Sequence, residues 1–222
     1  NLGIVNGYGG VRFDGTNATI IGSQDGEFLA DRNNIPRVWM DHGFWPFLTT
    51  DLYIQQTGDL SVLWEQTEYF KDSQICRSEK RDEHWTQEQG TQQRDKHGKV
   101  ITGSVLEHIL IQNISAFFDV GEHNHIRLRD GDWNDGLDMA RERGESVTFT
   151  AAYAGNYRKI ASLLRRVEKE ATAELELNAE CMILLNLEKG FYGDIQKKLA
   201  VQTLFHESCT HELSGEKAKI AT

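Results

Sequence analysis

The sequence predicts an all-α fold, on three observations. Apolar residues recur at helical spacing in most of the segments that carry them. No strand–helix alternation runs along the chain, which argues against a parallel-sheet architecture. Only two prolines occur, Pro36 and Pro46, so from Ser104 onward no proline interrupts a helix.

Taken in order, residues 1–36 are rich in Gly, Asn and Asp and predict a loop-rich entry with a short hairpin near Thr19-Ile20-Ile21. Phe44, Phe47, Leu48, Leu52 and Ile54 predict a helix over about 42–56, and Thr57-Gly58-Asp59 supplies its stop and a new N-cap. Leu60, Leu63, Trp64 and Phe70 predict a second helix over 60–70, packed on the first as an antiparallel hairpin. Residues 71–103 are polar and charged and form a long insertion. Ser104 and Glu107 then make a capping box for a helix reaching about Asp119. A polar stretch over 121–146 separates it from three further helices, expected at about 149–167, 171–187 and 195–205. The whole of 1–222 reads as a single domain segment of stacked helix hairpins.

Composition excludes several function classes. The net charge of −10 disfavours nucleic acid and anionic membrane surfaces, which reward clustered Lys and Arg. Cys76, Cys181 and Cys209 share no CxxC spacing, so neither a metal knuckle nor a secreted disulfide framework is expected. No apolar run approaches a membrane span and no leader opens the chain, giving a cytoplasmic expectation. HExxH, a GxSxG elbow and the glycine-rich phosphate loops are all missing, so no metal and no cofactor is expected.

The chemistry concentrates in Arg129-Asp130-Gly131-Asp132-Trp133-Asn134-Asp135-Gly136-Leu137. Three carboxylates, an indole, an amide and two glycines in nine residues suit neither a helix nor a buried strand. They do suit a sugar, which needs a flat ring to stack on, groups for its hydroxyls and a carboxyl that can donate a proton. Asp135, beside Gly136, is the candidate general acid, because burial next to an aromatic face keeps a carboxyl protonated. Asp132 and Asn134 read as hydroxyl-binding or structural groups. Trp133 divides evenly between sugar platform and loop anchor. Upstream, Glu122 and His123 either orient this stretch or form a structural pair. Arg127, Arg129, Arg141 and Arg143 bracket it, as an anion site or as paired surface arginines. A second cluster, Arg37-Val38-Trp39-Met40-Asp41-His42-Gly43-Phe44-Trp45, suits hydroxyl recognition through Arg37 and Asp41, or a helix start with Asp41 in its first turn.

Five motifs in order over residues 37–147 carry a resemblance. Asp41-His42-Gly43-Phe44-Trp45, Tyr53-Ile54-Gln55-Gln56-Thr57-Gly58-Asp59, Gly121-Glu122-His123, Gly131-Asp132-Trp133-Asn134-Asp135-Gly136 and Gly144-Glu145-Ser146-Val147 resemble glycoside hydrolase family 94. That family holds the cellobiose and chitobiose phosphorylases and the phosphorylase-like domain of cyclic β-1,2-glucan synthases. The resemblance implies an (α/α)6 barrel and an inverting phosphorolysis of a β-linked glucoside, with inorganic phosphate as co-substrate. It places Asp135 at the general acid and Trp133, Arg37 and Asp41 among the groups holding the non-reducing sugar. His42 stands where the family has a second Asp, and the family's downstream His and Thr-Gly phosphate site has no match. His206 and His211 are expected in a helical, polar tail. Six to seven expected helices are roughly half the twelve of such a barrel. With Asn1 rather than Met at the start, this predicts a partial catalytic domain, completed by the rest of the barrel or by a homodimer partner. The alternatives are a non-catalytic carbohydrate-binding segment and a hydrolase of the same fold in which Glu122 activates water.

Overall fold

The computed structural model describes residues 2–18, 20–21, 28–29, 38–131, 140–186 and 190–222. At its centre stands α3 (Val105–Phe118), of whose fourteen residues only Ile114 and Phe117 are not buried. A helix buried nearly all round must be packed on every side. Around it lie α1 (Leu2–Tyr8), α2 (Phe44–Thr57), α4 (Val147–Glu170), α5 (Cys181–Leu185) and α6 (Ile195–Cys209).

The helix ends follow the sequence signals. Gly58 closes α2 in the left-handed region at φ 72° and donates its N–H to the Ile54 carbonyl. Tyr53 donates its hydroxyl to Asp59 at 2.8 Å, and the Thr57 hydroxyl accepts from the Asp59 N–H, so this motif is a built helix terminus. The Ser104 hydroxyl accepts from the Glu107 N–H at the start of α3, and Ser146 caps α4 through the Phe149 N–H. The long α4 buries Tyr153, Asn156, Ile160, Leu163 and Val167, alternating steps of three and four that lay one stripe against the core.

Glu107 does not complete its capping box. Its carboxylate is buried and instead accepts from the Tyr69 hydroxyl at 2.6 Å and from the Asn178 N–H and amide. A carboxylate inside a core needs such partners, and the long-range ones outcompete the local one.

Strands correct the all-α expectation. Among the described residues, helices dominate but five two-stranded antiparallel ladders accompany them. The expected helix at 60–70 is a 3-10 turn, Ser61–Trp64, followed by β3 (Gln66–Glu68), paired with β6 (Thr102–Ser104). Asp59 accepts from both the N–H and the hydroxyl of Ser61, which starts a turn, and Glu65 to Glu68 offer no apolar residue to continue a helical stripe. The predicted antiparallel hairpin of two helices is therefore absent here.

The expected helix at 171–187 is likewise replaced, by β9 (Glu174–Asn178) and the short α5. Glu174-Leu175-Glu176-Leu177 alternates with period two, burying Leu175 and Leu177. Its partner β10 (Lys217–Ala221) runs antiparallel, with Lys217 opposite Asn178 and Ala221 opposite Glu174. The tail is thus a strand beyond α6. The hairpin expected near Ile20 is present as β1 (Ile20–Ile21) with β2 (Phe28–Leu29), whereas α1 was not foreseen in that loop-rich entry. Within the insertion, β4 (Gln74–Ile75) and β5 (Lys80–Arg81) form a hairpin whose linking residues Cys76, Arg77 and Ser78 all have positive φ. No described helix is long and apolar enough to cross a membrane.

Candidate functional site

Arg37, Asp132, Trp133, Asn134 and Asp135 lie outside the described residues, whereas Asp41, Glu122 and His123 lie within them. The frame around the acid-bearing segment is also described. β7 (Ile126–Arg127) leads into it and β8 (Glu145–Ser146) returns from it, with Ile126 opposite Ser146 and Arg127 opposite Glu145. Leu128 extends the clamp by donating its N–H to the Gly144 carbonyl at 2.9 Å. Gly144 approaches Ala140 so closely that an added Cβ would lie 2.4 Å from the Ala140 carbonyl oxygen. At Gly121, a Cβ would meet the Glu145 side chain at 2.5 Å. Both motif glycines are therefore required by close packing around the clamp.

Directly after Leu128 the backbone is held by charge. Arg129 sits at φ 54°, unusual for a residue with a side chain, and a buried ion-pair knot holds it there. Its guanidinium donates to Asp119 through Nε at 3.0 Å and Nη2 at 2.5 Å, and to Glu79 through Nη1. Arg77, from the β4–β5 turn, donates its Nε to the other face of Asp119 at 2.6 Å. Asp119 is wholly buried at the end of α3. Burial alone would raise its carboxyl, but Arg129 and Arg77 outweigh that and hold it well below the usual carboxylate range. The Arg77 N–H donates to Asp14, which extends the knot to the N-terminal segment.

The two polar clusters of the sequence meet at this point. Trp39 and Arg129 form an antiparallel bridge, and the Asp130 N–H donates to the Val38 carbonyl. Beneath them Met40, Ala116, Ile126, Leu128 and Tyr153 share a small core, against which Phe44, Ala140 and Phe149 pack. The Tyr153 hydroxyl donates to the Met40 carbonyl at 2.5 Å. One apolar cluster thus fixes the Asp41 segment relative to both ends of the Asp135 segment.

Asp41 precedes α2 rather than capping it, since the helix begins at Phe44 with no side-chain cap. Its Oδ2 accepts from the indole N–H of the half-exposed Trp45 at 2.8 Å. Its Oδ1 is buried and has no hydrogen-bond partner among the described residues. An acceptor desolvated and left unsatisfied is costly, and a ligand hydroxyl would satisfy it. The ring of His42 packs on Trp39 with centroids 5.0 Å apart. Burial lowers its pKa, with the Asp41 charge opposing.

Glu122 and His123 are not paired with each other. Glu122 is exposed and accepts two hydrogen bonds from Arg143, while His123 gives its N–H, and brings its ring Nδ1 within 3.0 Å, to Glu145. Each ties the 121–125 turn to the returning strand. The four bracketing arginines are all in ion pairs: Arg127 with Glu79, Arg129 with Asp119 and Glu79, Arg141 with Asp130 and Arg143 with Glu122. Arg129, however, is 5% exposed and is a scaffold of the interior, not a surface arginine. His206 corrects the polar-tail expectation: it is buried on α6, its pKa lowered by burial against the opposing charge of Asp14. His211 is exposed and 3.4 Å from Asp82.

Sequence reasoning gave no role to Asp119, Glu79, Arg77 or Glu145, whose partners lie ten to sixty-three residues away. The one available signal was at Asp119, a charged residue directly after the apolar Ala116-Phe117-Phe118 at the end of α3.

No family model matches the chain. It is similar to a solabiose phosphorylase from Paenibacillus borealis, with 27% identity over 144 residues. The match covers 64% of this chain and 15% of that protein, so the chain corresponds to a small part of the relative's length. The relative is by name an enzyme, a phosphorylase, of the class to which the five motifs pointed.

Proposed function

We propose that this chain is the acid-bearing part of an inverting β-glycoside phosphorylase, and that its helices contribute to an (α/α)6 barrel. One observation carries the reading. The Asp41 segment is bridged at Trp39 to Arg129, at the entrance of the segment that carries Asp135. The similarity to a phosphorylase agrees with it.

Asp135 donates a proton to the glycosidic oxygen as the bond to the anomeric carbon breaks. An oxygen of inorganic phosphate attacks that carbon from the opposite face, giving an α-glycosyl 1-phosphate and the free leaving sugar. Water needs a second carboxylate to deprotonate it in an inverting hydrolase. Phosphate is already an anion, so one carboxyl suffices. In this reading the buried, unsatisfied Oδ1 of Asp41 takes a sugar hydroxyl and the ring of Trp45 a sugar face; the bond from the Trp45 indole to Asp41 supports it. Arg37, Trp133, Asp132 and Asn134 complete the non-reducing-sugar subsite in this reading. The hydrolytic alternative has less support, because Glu122, its candidate base, is exposed and engaged by Arg143. No organic cofactor and no metal enters the reaction.

The proton-donor role is tested with Asp135→Asn in the polypeptide that carries this segment. On a β-linked disaccharide, phosphorolysis should fall by about 100- to 10,000-fold. On a β-glucoside of a strongly acidic phenol, which departs without protonation, the loss should be far smaller. Full activity on the disaccharide, or equal losses on both, would refute the assignment.

A further inference from the structure

A cavity of about 630 Å³ opens between α3, α4 and the β9–β10 ladder, and neither Trp39 nor Arg129 of the bridge lines it. Its size lies within the range of small-molecule sites, about 300–1,000 Å³. Its wall is mostly aliphatic and aromatic, with Ile114, Phe117, Leu164, Leu177 and Leu184 on it and Thr150, Tyr157 and Thr222 adding polar atoms, and among the described residues Lys198 supplies the single charged side chain.

Lys198 projects from α6 with 3% of its surface exposed. Its ammonium donates to the Asn124 amide oxygen at 2.8 Å and lies 3.8 Å from the centre of the Phe117 ring. No carboxylate among the described residues comes within ion-pair distance of it. A buried cation without a counter-ion is unfavourable, and the ring face and one amide offset only part of that. Burial also lowers its pKa, with no opposing charge to raise it. Asn124 is held in place at φ 62°, its amide donating to the Tyr192 carbonyl, so it presents a fixed oxygen and no counter-charge.

We infer that this cavity binds an apolar monocarboxylate, its carboxylate on the Lys198 ammonium and its hydrocarbon body along Ile114, Leu164 and Leu177. The ammonium has two N–H donors left, enough for the two oxygens of one carboxylate. One lysine neutralises one negative charge, which matches a carboxylate better than a phosphate dianion. The predominantly apolar wall suits a hydrocarbon body better than sugar hydroxyls, and the inference does not rest on the proposed glycoside site.

Sodium decanoate and decan-1-ol, equal in chain length and differing in charge, are the probes, titrated calorimetrically into the protein. Decanoate should bind once per chain and at least tenfold more tightly than decan-1-ol. Lys198→Met should weaken decanoate at least tenfold and leave decan-1-ol unchanged. Ala161→Phe, which fills the cavity without touching the charge, should weaken both, and it serves if Lys198→Met does not fold. The inference is overturned if wild-type protein does not bind decanoate, or binds both probes equally. Unaltered decanoate binding in either variant overturns it too, as does a dimer in sedimentation that covers the cavity and that decanoate leaves unchanged.

Discussion

Replacing Asp119 by Asn is the sharpest perturbation of the frame that holds the acid-bearing segment. Asp119 is fully buried between two guanidiniums and takes Arg77 Nε at 2.6 Å, Arg129 Nε at 3.0 Å and Arg129 Nη2 at 2.5 Å. Asparagine keeps the shape and one acceptor oxygen. It turns the other oxygen into a donor that faces a guanidinium N–H and leaves two buried cations with only Glu79 and Asp14 to answer them. Breaking a buried pair in this way costs about 3–5 kcal/mol, because the charge left behind stays desolvated. That is a large share of the roughly 5–15 kcal/mol that holds a domain together. Urea unfolding followed by tryptophan fluorescence should show a lower midpoint with an unchanged slope. A loss below about 1 kcal/mol would refute the reasoning, since it would place the knot among exposed pairs.

Three further outcomes follow from the same structure. Gly144→Ala places a methyl against the Ala140 carbonyl and should cost about 1–3 kcal/mol, read as a lowered thermal midpoint. Tyr69→Phe removes one of three donors from the buried Glu107 carboxylate and should cost about 1–3 kcal/mol in urea unfolding. Stability should fall between neutral pH and about pH 4. Burial depresses the His108 pKa to about 4, so the unfolded chain takes up a proton below about 6.5 that the folded chain refuses until pH 4. That shift is worth about 3 kcal/mol, present above the unfolded pKa and lost as pH falls, and it should shrink in His108→Gln. Depressed pKa values at His42 and His206 act in the same direction.

Much of the helical frame was legible because its signals are local. Gly58 and Ser104 mark helix ends within a few residues of where they occur, and the spacing from Tyr153 to Val167 gives the inward stripe of α4. The misreadings at 60–70 and 171–187 arose where apolar content outweighed period. Glu174-Leu175-Glu176-Leu177 has the alternation of a strand, but its partner lies at 217–221, beyond any local window. The five ladders are two to five residues long, too short for period alone to declare most of them. At the site, composition picked out both polar clusters, and the contact joining them did not follow from it. The Trp39–Arg129 bridge spans ninety residues and depends on Asp119, Arg77 and Glu79, which read individually as ordinary charged residues.

An inverting phosphorylase cannot turn over without phosphate. Phosphorus NMR of the polypeptide carrying this segment, incubated with a β-linked disaccharide and inorganic phosphate, should show an α-glycosyl 1-phosphate growing as free phosphate declines. Cleavage should stop when phosphate is left out. Sugar released at the same rate without phosphate, or a β-configured product, would contradict the inverting phosphorylase reading.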